Sequence, residues 1–211
     1  MKENFLTIVG EFSELTVIEK SKFICYLKHV ESEDEAKEYI AEIKKKHFDA
    51  THNCSAFIAD SDGNMARFSD DGEPQGTAGM PMLEALKNRG IFQIVAVVTR
   101  YFGGIKLGAG GLVRAYSGAV SSALNSADVR EKCLCKTVKI SADYDKYRLI
   151  LKLFEGGTYG EIIEQNFDDG VWVKAYVRNE QYDKFMKDIT ETFLGKQRVE
   201  VLSDGYCMLK G

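Results

Sequence analysis

The 211-residue chain is long enough for one large domain or two small ones, and its 45% hydrophobic and 11% aromatic content is that of an ordinary globular protein. It carries 28 Lys+Arg against 32 Asp+Glu, a formal net charge of −4; divided at residue 130, the first part has 15 against 18 and the rest 13 against 14. Neither part is basic, which excludes bulk attraction to nucleic acid and leaves only a local patch for a polyanion.

Along the chain, Phe5 to Ile18 alternates loosely and reads as one strand or two short ones, and Lys22 to Val30 as a cleaner strand. Ser32 with Glu35 forms a capping-box signature for a helix to about His47, with Ala36, Tyr39, Ile40 and Ile43 on its apolar face. Lys44-Lys45-Lys46 suits that helix's C-terminus. Cys54 to Asp60 is a strand closed by a turn at Asp62-Gly63. Phe68 to Met80 is polar, turn-rich and hard to assign. Pro81 fits the first position of a helix running to about Arg89, which Gly90 stops.

The stretch from Gln93 to Asn125 organises the rest. Ile94 to Val98 is an apolar run fit for one buried strand. A turn with Gly103, Gly104, Gly108, Gly110 and Gly111 leads into a small-residue helix from about Leu112. Strand, glycine turn and helix make a good anion cradle, because the helix's first N–H groups lack internal partners. Arg100, Lys106 and Arg114 add three cations to a segment without a carboxylate. Tight helix–sheet packing explains the glycines equally well. The two arginines, able to contact phosphate or carboxylate bidentately, tip the reading toward binding. The turn is neither a P-loop nor GxGxxG.

Around Val129 to Lys132 the pattern restarts, which sets domains at 1–130 and 131–211. Strands at Thr137 to Ala142, Gly160 to Asn166, Val171 to Arg178 and Val199 to Met208 alternate with helices at Tyr144 to Phe154 and Tyr182 to Leu194. Asp168-Asp169-Gly170 reads as a hairpin turn and Gly195 as a helix cap. The β-α-β-β-α-β order is that of a ferredoxin-like plait, and the whole chain reads as α+β.

Three constellations invite chemistry. Asp70, Asp71 and Glu73 crowd three carboxylates into a turn that is either exposed and polar, a Mg²⁺ or Ca²⁺ site, or an acid–base pair. His52 and Cys54, two apart on a strand, face one side as a Cys–His pair must, but no orienting partner or oxyanion hole is evident. His29 and His47 match no metal spacing, and no zinc signature occurs. Five scattered cysteines without a Cys-x-x-Cys pair read as reduced thiols of a cytoplasmic protein. The N-terminus has no signal-peptide pattern, and no apolar run approaches the roughly 20 residues that span a bilayer.

The blocks FSDDGEPQGTAG (68–79), followed by Pro81, and VTRYFGGIKLGAGGLVRAY (98–116) resemble the signature of the YigZ/IMPACT family. The resemblance implies a first domain like domain 2 of ribosomal protein S5. It also implies a ferredoxin-like second domain similar to the last domain of elongation factor G. Eukaryotic relatives are linked to control of translation initiation through competition with an activator of a stress kinase. They use an extra N-terminal domain that this sequence does not match, so that role is not expected here. The family has no agreed enzymatic reaction.

The expectation is a cytoplasmic, non-enzymatic factor that binds RNA or the ribosome. Arg100, Tyr101, Gly103, Gly104, Lys106, Gly108, Gly110, Gly111 and Arg114 would form the contact surface. Asp70, Asp71 and Glu73 would order the adjoining loop or hold Mg²⁺, and no other cofactor is implied. The alternative is an enzyme acting on a phosphorylated small molecule through the glycine turn and those carboxylates. A protein partner on the second domain's sheet is a third possibility.

Overall fold

The computed structural model describes residues 4–167, 170–196 and 198–210. The chain divides into two compact units, Met1–Arg130 and Glu131–Gly211, each with its own sheet and core.

In the first unit the chain runs β1 (Asn4–Ile8), β2 (Glu11–Ile18), β3 (Ser21–His29), α1 (Glu33–Lys46), β4 (His52–Ile58), β5 (Ala66–Ser69), α2 (Gly79–Asn88), β6 (Ile94–Tyr101) and α3 (Gly108–Ser126). One sheet has the order β2-β3-β6-β4-β5, antiparallel throughout. Its central strand β6 is covered on both faces, which is why Ile94 to Val98 reads as an unbroken apolar run. On one face Phe23, Cys25, Leu27, Cys54, Ala56, Ala96 and Val98 pack against α2 and α3. On the other, Tyr26, Phe57, Val95 and Val97 pack against Ala36, Tyr39 and Ile43 of α1.

Local chemistry sets the ends of these elements. Ser32 caps α1 by accepting from the Glu35 amide at 3.2 Å. The reciprocal bond to Glu35 comes from Glu31 N at 2.8 Å, one residue earlier than a capping box requires. The Asp60 carboxylate gathers the amides of Gly63, Asn64 and Met65 and turns the chain from β4 into β5. Two expectations shift here. The unassigned polar stretch begins with the edge strand β5, and α2 starts two residues before Pro81. Also, α3 begins at Gly108 rather than Leu112, so Gly108, Gly110 and Gly111 form its first turn rather than the loop before it.

β7 (Val129–Ala142) leads into the second unit, which continues with α4 (Tyr147–Phe154), β8 (Gly160–Asn166), β9 (Val171–Arg178), α5 (Tyr182–Phe193) and β10 (Arg198–Lys210); the five-stranded sheet has the order β1-β7-β9-β8, with β10 also pairing β7. Val138, Ile140, Val171, Val173, Ala175 and Val177 meet Ile150, Phe154, Phe185, Ile189 and Phe193 in its core. A short 3₁₀ turn, Tyr144–Lys146, precedes α4. α5 ends through Leu194 in the left-handed region, one residue before the expected Gly195. Residues 168 and 169 of the expected hairpin turn lie outside the described residues. The cysteines are all free thiols.

Candidate functional site

β6 ends where α2, α3 and the 70–78 loop meet, and its alternation sends neighbouring side chains to opposite layers. Ala96, Val98 and Arg100 face α2 and α3, whereas Val95, Val97, Thr99 and Tyr101 face α1. Arg100 lies in register between Phe23 and His52 on the flanking strands.

Arg100 is inside the protein, 5% exposed. Its Nη1 donates to Glu73 Oε1 at 2.6 Å, and the Tyr116 hydroxyl donates to the same oxygen at 2.7 Å. The guanidinium sits 5.4 Å from the Phe23 ring centroid and 5.6 Å from that of Phe102. Glu73 is 8% exposed, with His52 Nε2 3.8 Å from its second oxygen. Arg100 therefore does not reach a polyanion at the surface: it neutralises a buried carboxylate. A pair of this kind holds its geometry strongly, because loss of either partner strands the other charge in a low dielectric.

The other two loop carboxylates are likewise engaged by protein donors. Asp70 Oδ1 accepts from Ala78 N (3.1 Å) and Gly79 N (2.8 Å), and Oδ2 from Gly76 N (2.8 Å). It thus caps α2, whose own N-cap residue, Ala78, has no side chain for the task. Burial opposes ionisation of Asp70, yet these three amides hold its carboxyl below the usual range. Asp71, in the left-handed region, joins Lys44 Nζ (2.6 Å) through Oδ1 and Asn53 N (2.6 Å) through Oδ2. Among the described residues no group of three or more His, Cys, Asp or Glu side chains could hold a metal ion. The carboxylates order the loop, and the Mg²⁺ possibility draws no support from this geometry.

His52 and Cys54 both reach this loop from β4, but as structural members. His52 Nδ1 donates to the Asp71 carbonyl at 2.8 Å, and Cys54 Sγ donates to the Asp70 carbonyl at 3.0 Å. Burial, reinforced by Glu73, Asp71 and Asp70, pushes the Cys54 thiol up to about 12. It remains protonated at neutral pH and is no nucleophile.

Tyr101 is committed to the α1 face. Its hydroxyl donates to Asp49 Oδ1 at 3.1 Å and accepts from His47 Nδ1 at 2.9 Å, while His47 Nε2 accepts from Tyr26 at 2.6 Å. Burial and the neighbouring Lys46 hold His47 below its ordinary value, in keeping with a neutral ring passing one hydrogen bond along.

The glycine turn divides into a fastened half and an open half. The Phe102 and Gly103 amides donate to Thr51 Oγ1 (3.0 Å) and Ser21 Oγ (3.1 Å). Gly103 lies so close to the β2–β3 turn that a Cβ there would fall 2.0 Å from the Lys20 carbonyl carbon. Beyond it, Gly104, Lys106, Gly108 and Gly110 are exposed. Gly108 enters α3 at φ 68°, and no side chain caps the helix and no acidic residue lies in its first turn. The Arg114 guanidinium folds back over that turn, with Nη1 3.6 Å from where a Cβ on Gly110 would lie. Gly111 packs on Leu107, leaving no room for a larger residue. Lys106 and Arg114 are both exposed, and neither has a carboxylate partner among the described residues. Phe102, at the start of the same turn, is 47% exposed.

The sequence reading missed Tyr116, Lys44 and the buried Thr99–Asn53 pair, whose Oγ1···Oδ1 distance is 2.7 Å. Tyr116 carried a signal: it is the one large polar-tipped residue in the stripe Leu112, Ala115, Tyr116, Ala119, Val120 and Ala123, and a buried tyrosine hydroxyl needs a partner.

The fold and site define a mixed α/β protein of two units, in which a signature loop and strand are bound by a buried ion pair beside an uncapped, cation-flanked helix start. The model of the Impact N-terminal domain matches residues 19–124. The chain is 42% identical over 200 residues to IMPACT family member YvyE of Bacillus subtilis, covering 95% of this chain and 92% of that one. It is 40% identical over 190 residues to an IMPACT family member of Haemophilus influenzae (89% and 92% covered), and 37% over 175 residues to YigZ of Escherichia coli (82% and 85%). A crystal structure of a hypothetical protein, 32% identical, aligns with a TM-score of 0.61 over 96% of this chain and 99% of the other. The chain belongs to the IMPACT family. Among the described residues no helix is long and apolar enough to cross a membrane.

Proposed function

We propose that this protein is a cytoplasmic, non-enzymatic factor that binds RNA or the ribosome through the start of α3 and acts in the regulation of translation. The observation that carries the reading is the Arg114 guanidinium folded over the uncapped, exposed first turn of α3, with the exposed Lys106 two residues before it. Helix N-terminal amides and unpaired cations together favour a phosphate, and Phe102 offers a ring for a base. Arg100, Glu73 and Asp70 serve this surface by holding the strand and loop beneath it. The β-α-β-β-α-β order, with β7 paired to both β9 and β10 and β9 to β8, supports a ferredoxin-like second unit, like the last domain of elongation factor G. We read the first unit as akin to domain 2 of ribosomal protein S5. The alternative, an enzyme acting on a phosphorylated small molecule, draws less support because Asp70, Asp71 and Glu73 are already engaged by protein donors.

The test is fluorescence anisotropy of a labelled single-stranded RNA with the full chain. Lys106→Ala combined with Arg114→Ala is expected to weaken binding and to flatten the slope of log K against log salt by about 1.4, roughly 0.7 for each cation removed. Both side chains are exposed, so stability should hold within about 0.5 kcal/mol. Unaltered affinity and slope in the folded variant would overturn the reading.

A further inference from the structure

A second place suited to the same class of ligand lies wholly within the second unit. The end of β7 and the start of β9 and β10 enclose a cleft of about 450 Å³, a volume ordinary for a small-ligand site. Trp172 and three cations, Lys146, Lys196 and Arg198, line it against one carboxylate, Asp143. None of the three cations has an ion-pair partner among the described residues.

Trp172 falls between the core residues Val171 and Val173, so its ring lies on the face of the sheet away from α4 and α5 and is half-buried. Lys139 Nζ stands 4.7 Å from its ring centroid, bringing a fourth cation alongside. The cleft thus brings Trp172 together with cations that have no ion-pair partner among the described residues. An inorganic anion leaves the ring unused, and an apolar peptide leaves the cations unmatched. A planar ring carrying a phosphate uses both.

We propose that this cleft binds a nucleotide of single-stranded RNA, with its base stacked on Trp172 and its phosphate held by Lys146, Lys196 and Arg198. The inference shares the RNA reading but rests on none of the residues at the start of α3.

Trp172 is the chain's single tryptophan, so its fluorescence reports this site alone. The full chain is titrated with a uridine octanucleotide, with uridine monophosphate and with inorganic phosphate. Saturable quenching by the octanucleotide is expected, weaker quenching by the monophosphate and none by phosphate. Lys146→Gln with Arg198→Gln, neither ion-paired among the described residues nor deeply buried, should weaken the octanucleotide about tenfold and flatten its salt slope by about 1.4. Absence of saturable quenching, or quenching indifferent to these substitutions, would overturn the proposal. Equal affinity for monophosphate and octanucleotide would overturn the RNA assignment in favour of a free nucleotide. Quenching that survives Lys106→Ala with Arg114→Ala supports this site even where the α3 reading fails. RNA binding by anisotropy with a silent Trp172 overturns this site and leaves the other intact.

Discussion

Removing Arg100 strands the Glu73 carboxylate in the interior, left with the Tyr116 hydroxyl and a more distant His52 among the described residues. Arg100→Ala should therefore lower stability by about 3–5 kcal/mol in urea unfolding, far more than Arg114→Ala at the surface. Asp70 makes a second, pH-dependent contribution. Its folded-state value lies below the ordinary 3.8, so the stability it confers is complete above that value and fades as pH falls through the lower, folded one. Asp70→Asn should cost about 1–3 kcal/mol at pH 7, and the gap to the parent protein should narrow below about pH 4. A gap constant from pH 7 to pH 2 would show that the charge is not what counts. Arg100 reads from the sequence as a surface contact, yet a signal of its interior place was there: a period of two puts it on the face of Ala96 and Val98. Its partner was not, because Glu73 lies 27 residues away in a loop without periodicity.

At the scale of elements, the glycines of the signature separate into those the geometry requires and those it tolerates. Gly103→Ala must push β6 away from the β2–β3 turn, since backbone atoms of Lys20 and Ser21 occupy the space. It should destabilise by several kcal/mol, on the order of a disrupted core contact. Gly118, on the exposed side of α3 with nothing within 4 Å, should do the reverse. Gly118→Ala is expected to stabilise by about 0.8–1.0 kcal/mol on helix propensity alone. Thermal unfolding of the two variants checks both signs. Elements with a strong pattern were legible, such as α1 behind Ser32 and β9 with every second residue buried. β5 was hidden because its four residues are mostly exposed at a sheet edge. The start of α3 was hidden because glycine's poor propensity is outweighed there by packing of Leu112, Ala115 and Tyr116.

For the whole molecule, a net charge of −4 makes general attraction to RNA weak, so affinity has to come from counted local cations. With Lys106 and Arg114 alone, the slope of log K against log salt should be about −1.4. With Lys146, Lys196 and Arg198 also engaged it should approach −3.5, at roughly 0.7 per phosphate neutralised. One salt titration of the parent protein thus counts the sites in use. A slope near zero would speak against both. The overall class and the family resemblance were legible in two long blocks of sequence. The division of labour inside those blocks was not, because it depends on which layer each side chain enters.

The 70–78 loop is anchored from both sides of the first sheet: Asp71 to Lys44 of α1 in one layer, Asp70 to the amides opening α2 in the other. The first anchor needs α1 in place on the sheet, whereas the second is a local cap to the helix that follows in sequence. The Asp71–Lys44 contact, which joins the loop to α1 across 27 residues, is expected to form late in folding. Changes at Asp71 should accordingly hasten unfolding while leaving the refolding rate almost untouched. The most recognisable stretch of the sequence is thus a clasp between the two layers that cover the sheet.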